Sequence, residues 1–328
     1  MILAGDIGGT KTNLALYELV DGTLSILMQH QFVSAEFSSL IDVIIAFEKK
    51  MTSKLNVDSA CFGIAGPVID GRCRTTNLPW DITSSALSQH LGKDNVRLLN
   101  DLESTAYGML YLREDEFLDL NPTSKSVDGN RAVIAAGTGL GEAMLFYDGA
   151  AYHPVGSEGG HCDFAPLTKQ QDELLEWMRG RYPEHVSFER ILSGPGIYAL
   201  YEFLSESSFA LQPSTMINLE MGMDKSAMVS RCALVDKDPL CMEVLRLFVE
   251  IYGAEAGNLA LKSMSLGGVY IGGGIAPKIL PMMKDGSFMN SFIKKGRFEE
   301  LLRGMDVKIA LNQETALLGA AYFARDKL

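Results

Sequence analysis

Two glycine turns, each set between apolar runs, constrain this chain more than any other feature. The first is Gly5-Asp6-Ile7-Gly8-Gly9-Thr10, preceded by Ile2-Leu3-Ala4 and followed by Leu14-Ala15-Leu16-Tyr17. The second is Gly137-Thr138-Gly139-Leu140-Gly141, between Ala132-Val133-Ile134-Ala135-Ala136 and Ala143-Met144-Leu145-Phe146-Tyr147. Short apolar runs on both sides of such a turn predict strand, tight turn, strand. A turn without Cβ atoms also lets a phosphate approach backbone N–H groups. Two of them suit a clamp on a polyphosphate, which points to phosphoryl-transfer chemistry.

The 328 residues suggest two domains, at a typical ~150 residues each. The net charge of −12 argues against nucleic acid or an acidic membrane surface as partners by charge alone. A nucleotide on so acidic a chain needs local positive potential from backbone amides, helix N-termini and a bound cation. The five cysteines (Cys61, Cys73, Cys162, Cys232 and Cys241) are odd in number and form no CxxC pair. That disfavours a disulfide framework or a structural zinc site, and suits reduced thiols. The start of the chain lacks the basic region of a signal peptide, and no apolar stretch is long enough to cross a bilayer. The expected location is the cytoplasm.

Apolar spacing organises the rest. Leu40, Val43, Ile44 and Phe47 predict a helix within 37–51. Residues 59–67 predict a buried strand ending in a glycine turn. Residues 96–101 predict a second buried strand, after which Asp101 opens a helix through Ala106, Met109 and Leu110. The polar stretch 121–130, with Pro122, Asp128 and Gly129, is the best linker candidate. The second part then restarts with strand, turn, strand, a weak internal repeat of architecture. A mostly helical stretch covers about 169–264, and residues 268–275 predict a strand meeting a third glycine turn, Gly272-Gly273-Gly274. Residues 314–325 predict a helix with Ala316, Leu317, Ala320 and Phe323 on one side, small enough for close packing. Residues 205–240 resist placement.

Several residues admit a structural and a chemical reading side by side. Asp6 is either an ordinary turn residue or the carboxylate facing a magnesium ion, which needs few protein ligands beside substrate phosphates. In the chemical reading Gly8 and Gly9 bare their amides and Thr10 donates its hydroxyl. The GxGxG spacing at 137–141 fails the dinucleotide fingerprint, because a strand follows it instead of a helix, and no GxxxxGK[ST] occurs. Asp101, between strand and helix, is either an N-cap or a catalytic carboxylate at a strand's C-terminal end, where ligands bind in open α/β sheets. Ser157-Glu158-Gly159-Gly160-His161 is either a surface loop or a sugar cradle. Glu189 by itself reads as a helix-surface charge.

Taken in order, GDIGGTK at 5–11, GIAGPV at 63–68, TNLPW at 76–80, LLND at 98–101, GTGLGEA at 137–143 and SEGGH at 157–161 resemble the bacterial glucokinase family. FERILSGPG at 188–196, YGAEAGNLAL at 252–261 and GGGI at 272–275 complete the set. That family lies within the actin, Hsp70 and sugar-kinase superfamily. The resemblance implies an α/β fold of two ribonuclease-H-like (actin-like ATPase) domains around a central cleft. The small domain would be 1–110 plus about 312–328, and the large domain 111–311. It implies ATP with Mg2+, glucose as acceptor, and a homodimer. By resemblance Asp101 is the general base, and Asn100, Glu158, His161 and Glu189 join it on the sugar. Gly5, Asp6, Ile7, Gly8, Gly9 and Thr10, with Gly137, Thr138 and Gly139, match the phosphate loops, and Gly272, Gly273 and Gly274 the adenosine side.

The chain shares DxGGTK and an ExGH-like loop with the ROK sugar kinases. The cysteine-rich zinc motif that follows the histidine in those proteins is missing: only Cys162 follows His161, and the next cysteine is Cys232. That favours the non-ROK branch. A kinase for another hexose or an amino sugar, or a non-catalytic sugar sensor, are the competing expectations.

Overall fold

A computed structural model describes residues 1–51, 55–75, 78–122, 127–217 and 222–327. Thr76 and Asn77 of the TNLPW motif and residues 123–126 of the expected linker lie outside the described residues, as do 218–221 of the unplaced stretch. Contacts group the chain into two compact units. One comprises Met1–Glu116, Ala143–Gly156 and Asn312–Leu328, the other Phe117–Glu142 and Ser157–Leu311.

The first unit contains strands β1 (Ile2–Ile7), β2 (Lys11–Val20), β3 (Thr23–Val33), β4 (Ser59–Ile64), the short pair β5 (Arg72–Arg74) and β6 (Asp81–Thr83), and β7 (Val96–Asn100). Its five-stranded sheet has the order β3-β2-β1-β4-β7. β1 runs antiparallel to β2, and parallel to β4, which is parallel to β7. The helix expected within 37–51 is Leu40–Glu48, and it buries Leu40, Val43, Ile44 and Phe47, the residues that predicted it. The C-terminal helix Thr315–Lys327 buries Leu317, Ala320, Ala321 and Ala324 against β1, β4 and β7 residues. Its close packing on helix Asp101–Met109 runs through two glycines. A Cβ on Gly319 would lie 1.8 Å from the Ser104 carbonyl oxygen, and one on Gly108 2.0 Å from that of Thr315.

The second unit is built on β8 (Phe117–Asp119), β9 (Arg131–Ala136), β12 (Val269–Gly272) and β13 (Val307–Ala310), within a six-stranded sheet that also takes in β10 (Leu140–Tyr147) and β11 (Tyr152–Ser157). The sheet order is β11-β10-β9-β12-β13-β8. β9 is parallel to β12, and β12 to β13. The order β11-β10-β9-β12-β13 repeats β3-β2-β1-β4-β7, so the expected repeat of architecture is real. The long helix Pro239–Ser263 is buried along most of its length and carries the unit's core.

The described ends of the stretch 121–130 are tied into the second unit, not left as a linker. Asn121 donates to the Met305 carbonyl (2.7 Å) and Asn130 to that of Ser263 (3.0 Å), and both residues lie inside the second unit. The Asn121 and Asn130 side chains satisfy backbone carbonyls, which composition cannot distinguish from solvation. Among the described residues no helix is long and apolar enough to cross a membrane.

Candidate active site

In the first unit three strand ends meet along one edge. Ile7 of β1 is level with Ile64 of β4, and Ile64 with Asn100 of β7. The Ala65 amide donates to the Ile7 carbonyl (3.0 Å), and the Asn100 side-chain amide to that of Gly66 (3.2 Å). The first glycine turn and the Asn100-Asp101 corner therefore share the C-terminal edge of the parallel strands, two strand spacings or about 10 Å apart.

Asp101 is not the cap of its helix. Asn100 caps it, accepting from the Leu102 amide (2.8 Å), while Glu103 accepts from the Asn100 amide (2.8 Å) in a capping box. Asp101 occupies the first helical position, where its Oδ1 also faces the Leu102 amide at 3.0 Å. The Thr105 hydroxyl donates to its carbonyl (2.8 Å). Gly63 admits the helix against β4, since a Cβ there would lie 2.7 Å from Ser104 Cβ.

Within the first turn, Gly5 and Ile7 are core residues of β1. A Cβ on Gly5 would lie 2.6 Å from Phe62 Cδ1, so packing demands that glycine, and Ile7 is buried. The Gly8 amide, expected bare, closes the hairpin on the Lys11 carbonyl (2.9 Å), which leaves Gly9 and Thr10 at the tip. Ser34 fixes the turn by donating to the Gly8 carbonyl (2.8 Å). Burial raises the Asp6 carboxyl above the usual carboxylate range, partly offset by the Asn13 amide at 3.4 Å. A carboxyl desolvated beside a glycine turn fits a single-carboxylate magnesium ligand. Among the described residues no cluster of three or more His, Cys, Asp and Glu forms a metal cage.

In the second unit another edge assembles. The Gly137 amide donates to the Gly139 carbonyl (2.8 Å), and the Gly137 carbonyl accepts from Gly194 (2.8 Å), the first residue of helix Gly194–Glu206. Gly273 has φ +80°, and a Cβ there would lie 2.3 Å from the Ala136 carbonyl oxygen. The second and third glycine turns, with Thr138 at the tip of one and Gly272 and Gly274 flanking the other, thus sit together at the ends of β9 and β12.

Glu189 is not a helix-surface charge. It lies in a single turn, Phe188–Arg190, and its Oε2 accepts from the Leu140 amide (3.0 Å). Its Oε1 stands 3.9 Å from His161 Nε2. Glu158 and His161 are exposed on the loop at 157–161, whose Gly159 and Gly160 are buried. One unit therefore brings together Glu158, His161 and Glu189, and the other brings together Asp6, Asn100 and Asp101.

The family model described as glucokinase matches residues 3–327 of this chain. The chain belongs to the glucokinase family. It is 38% identical over 337 residues to a glucokinase of Nostoc sp., covering 99% of this chain and 98% of the relative. Among solved structures, a glucokinase from an Antarctic psychrotroph is 30% identical with a TM-score of 0.85, covering 99% of both chains. A ROK family glucokinase from Streptomyces griseus, solved with glucose and AMPPNP, shares the fold at 19% identity and a TM-score of 0.67, again with 99% of both chains covered. Membership makes this chain an ATP-dependent hexose kinase. Glu142 of GTGLGEA and Glu255 of YGAEAGNLAL are buried carboxyls whose motifs carry no mark of it. Their burial, the property that sets them apart, is a tertiary fact.

Proposed function

We propose that the chain transfers the γ-phosphoryl group of ATP to the 6-hydroxyl of D-glucose, giving glucose 6-phosphate and ADP, with Asp101 as general base. The shared strand edge of the first unit carries this reading, because the strand leading into the Gly9-Thr10 turn and the strand leading into Asp101 end level there, two strand spacings or about 10 Å apart. That span accommodates one phosphoryl group and the sugar oxygen attacking it.

Phosphoryl transfer is loose, so catalysis is mostly positioning and charge neutralisation. A sugar hydroxyl is far less acidic than a carboxyl, so Asp101 orients the oxygen and accepts its proton as the phosphorus–oxygen bond forms. The amides of Gly9, Thr10, Thr138 and Gly139 face the phosphates, and Gly272–Gly274 the adenosine side. Magnesium, when bound beside Asp6, offsets the charge of the phosphate oxygens. Asn100 has one side-chain hydrogen left after Gly66 for a sugar hydroxyl. Glu158, His161 and the remaining Glu189 oxygen complete the cradle. The Streptomyces griseus enzyme was solved with glucose and AMPPNP on the same fold, which supports a sugar and a nucleotide as the two ligands here.

The finer reading of the fold is two ribonuclease-H-like domains, 1–110 with about 312–328 and 111–311, around a central cleft. Closure on sugar would exclude water as a competing acceptor. A cytoplasmic homodimer is part of the same proposal. A coupled ADP assay with ATP over glucose, mannose, N-acetylglucosamine and an anhydro-sugar, with direct detection of the sugar phosphate when ADP or polyphosphate is the donor, tests it. Glucose with ATP should give the highest kcat/KM. A better sugar reassigns the acceptor, and the absence of any sugar-dependent ADP release makes the chain a sensor.

A further inference from the structure

Beneath the sugar loop lies a buried carboxyl pair with no part in the reaction just described. Glu142 of β10 is 1% exposed and Glu255 of helix Pro239–Ser263 is fully buried. Glu142 Oε1 has no hydrogen-bond partner. Its Oε2 lies 2.1 Å from where a Cβ on Gly159 would stand, so the carboxyl is packed directly against that glycine. Two residues back on β10, Leu140 presents its amide to Glu189, and its carbonyl oxygen lies 2.1 Å from the position of a Cβ on Gly160. One short segment thus supports both glycines of the loop and the third sugar-facing carboxylate.

We propose that Glu142 is a positioning residue for glucose: through a proton held against Glu255, it braces Gly159 and thereby fixes Glu158 and His161. The inference rests on the glucose reading above. The surrounding charges show why one proton must stay. Glu255 accepts from the Asn258 amide (2.7 Å) and from Lys262 (3.3 Å), so its negative charge is matched. Lys295 donates to neutral oxygens of Ala254 and Asn258, and burial lowers its pKa, an effect partly offset by Glu255. The Tyr252 hydroxyl is held between the Ala136 amide and the Ile134 carbonyl. Cys162 follows the loop directly and is exposed. Lys262 is the one cation the two carboxyls share, and a single cation does not hold two buried carboxylates charged side by side.

Burial first, then the Glu255 charge, push the Glu142 carboxyl up to about 8. Below that pH the Glu142 acid donates to Glu255. Above it the proton goes to solvent, the two carboxylates repel, and the atoms in the way belong to Gly159. The wild-type glucose KM should therefore rise several-fold as pH passes about 8, with the ATP KM unaffected by this step. Glu142→Gln keeps a donor that cannot ionise, so its glucose KM should match the wild type at pH 7 and stay flat through the alkaline range. Glu255→Gln removes the repelling charge and should shift or abolish the same limb.

The experiment is glucose KM and ATP KM against pH for the three proteins, with calorimetric glucose binding at the same pH values. An alkaline limb that survives Glu142→Gln unchanged, or that appears equally in the ATP KM, overturns the brace. Failure of the wild type to turn over glucose at all sinks the assigned reaction instead, so the two failures are distinguishable.

Discussion

The proposed general base of the first unit and the proposed sugar ligands of the second are held by different means. Asp101 is placed by secondary structure: a buried strand ends at Asn100, a capping box opens the helix, and the next residue points from a rigid corner. Glu158 and His161 are exposed on a one-turn segment, and what fixes them lies underneath, where Gly159 and Gly160 press on Glu142 and Leu140. On the proposed roles, damage at the first place is expected to remove chemistry without disturbing the fold, and damage at the second to displace sugar contacts through packing.

Three substitutions separate these cases, beginning with the largest effect. Asp101→Ala should lower kcat by ~10² or more, the usual scale for loss of a general base, while calorimetric glucose binding stays close to wild type. Loss of binding in step with turnover would show that this corner also depends on packing. Gly160→Ala puts a Cβ against the Leu140 backbone, which cannot swing aside as a side chain would. It should destabilise the protein by ~1–3 kcal/mol, as overpacking does, and raise glucose KM while leaving ATP KM in place. Urea unfolding with steady-state kinetics reads both effects. Gly137→Ala sharpens the comparison from the other side, because nothing lies within 4 Å of a Cβ there. Its unfolding midpoint should be unchanged and its ATP KM raised several-fold, since the added methyl meets only incoming phosphate. An unchanged ATP KM would remove Gly137 from the phosphate site.

The same contrast explains what could be seen in the sequence. Strand, turn and strand at both glycine turns followed from local apolar runs, as did the helix at Leu40–Glu48 and the restart of the architecture in the second part. The Asn100-Asp101 corner was visible for the same reason, although the capping role fell to Asn100 and the Gly8 amide proved to be spent on its own hairpin. The long edge strand β3 escaped notice despite a signal: Asp21 and Gly22 turn the β2–β3 hairpin with φ values of 49° and 82°, the geometry that an Asp-Gly pair favours. The buried pair Glu142 and Glu255 was not readable, because a charged residue inside an apolar run looks alike whether it faces water or core. Gly159 and Gly160 were equally opaque, since close approach to the Glu142 side chain and the Leu140 backbone, both distant in sequence, leaves no local mark.

The most direct measurement is a crystal structure with glucose and a non-hydrolysable ATP analogue bound. The account predicts the glucose O6 within about 3 Å of an Asp101 oxygen, the distance a general base requires, with the γ-phosphate at the Gly9-Thr10 tip and the other hydroxyls on Glu158, His161 and Glu189. Glucose bound with O6 turned away from Asp101, or with the γ-phosphate remote from that tip, would contradict it.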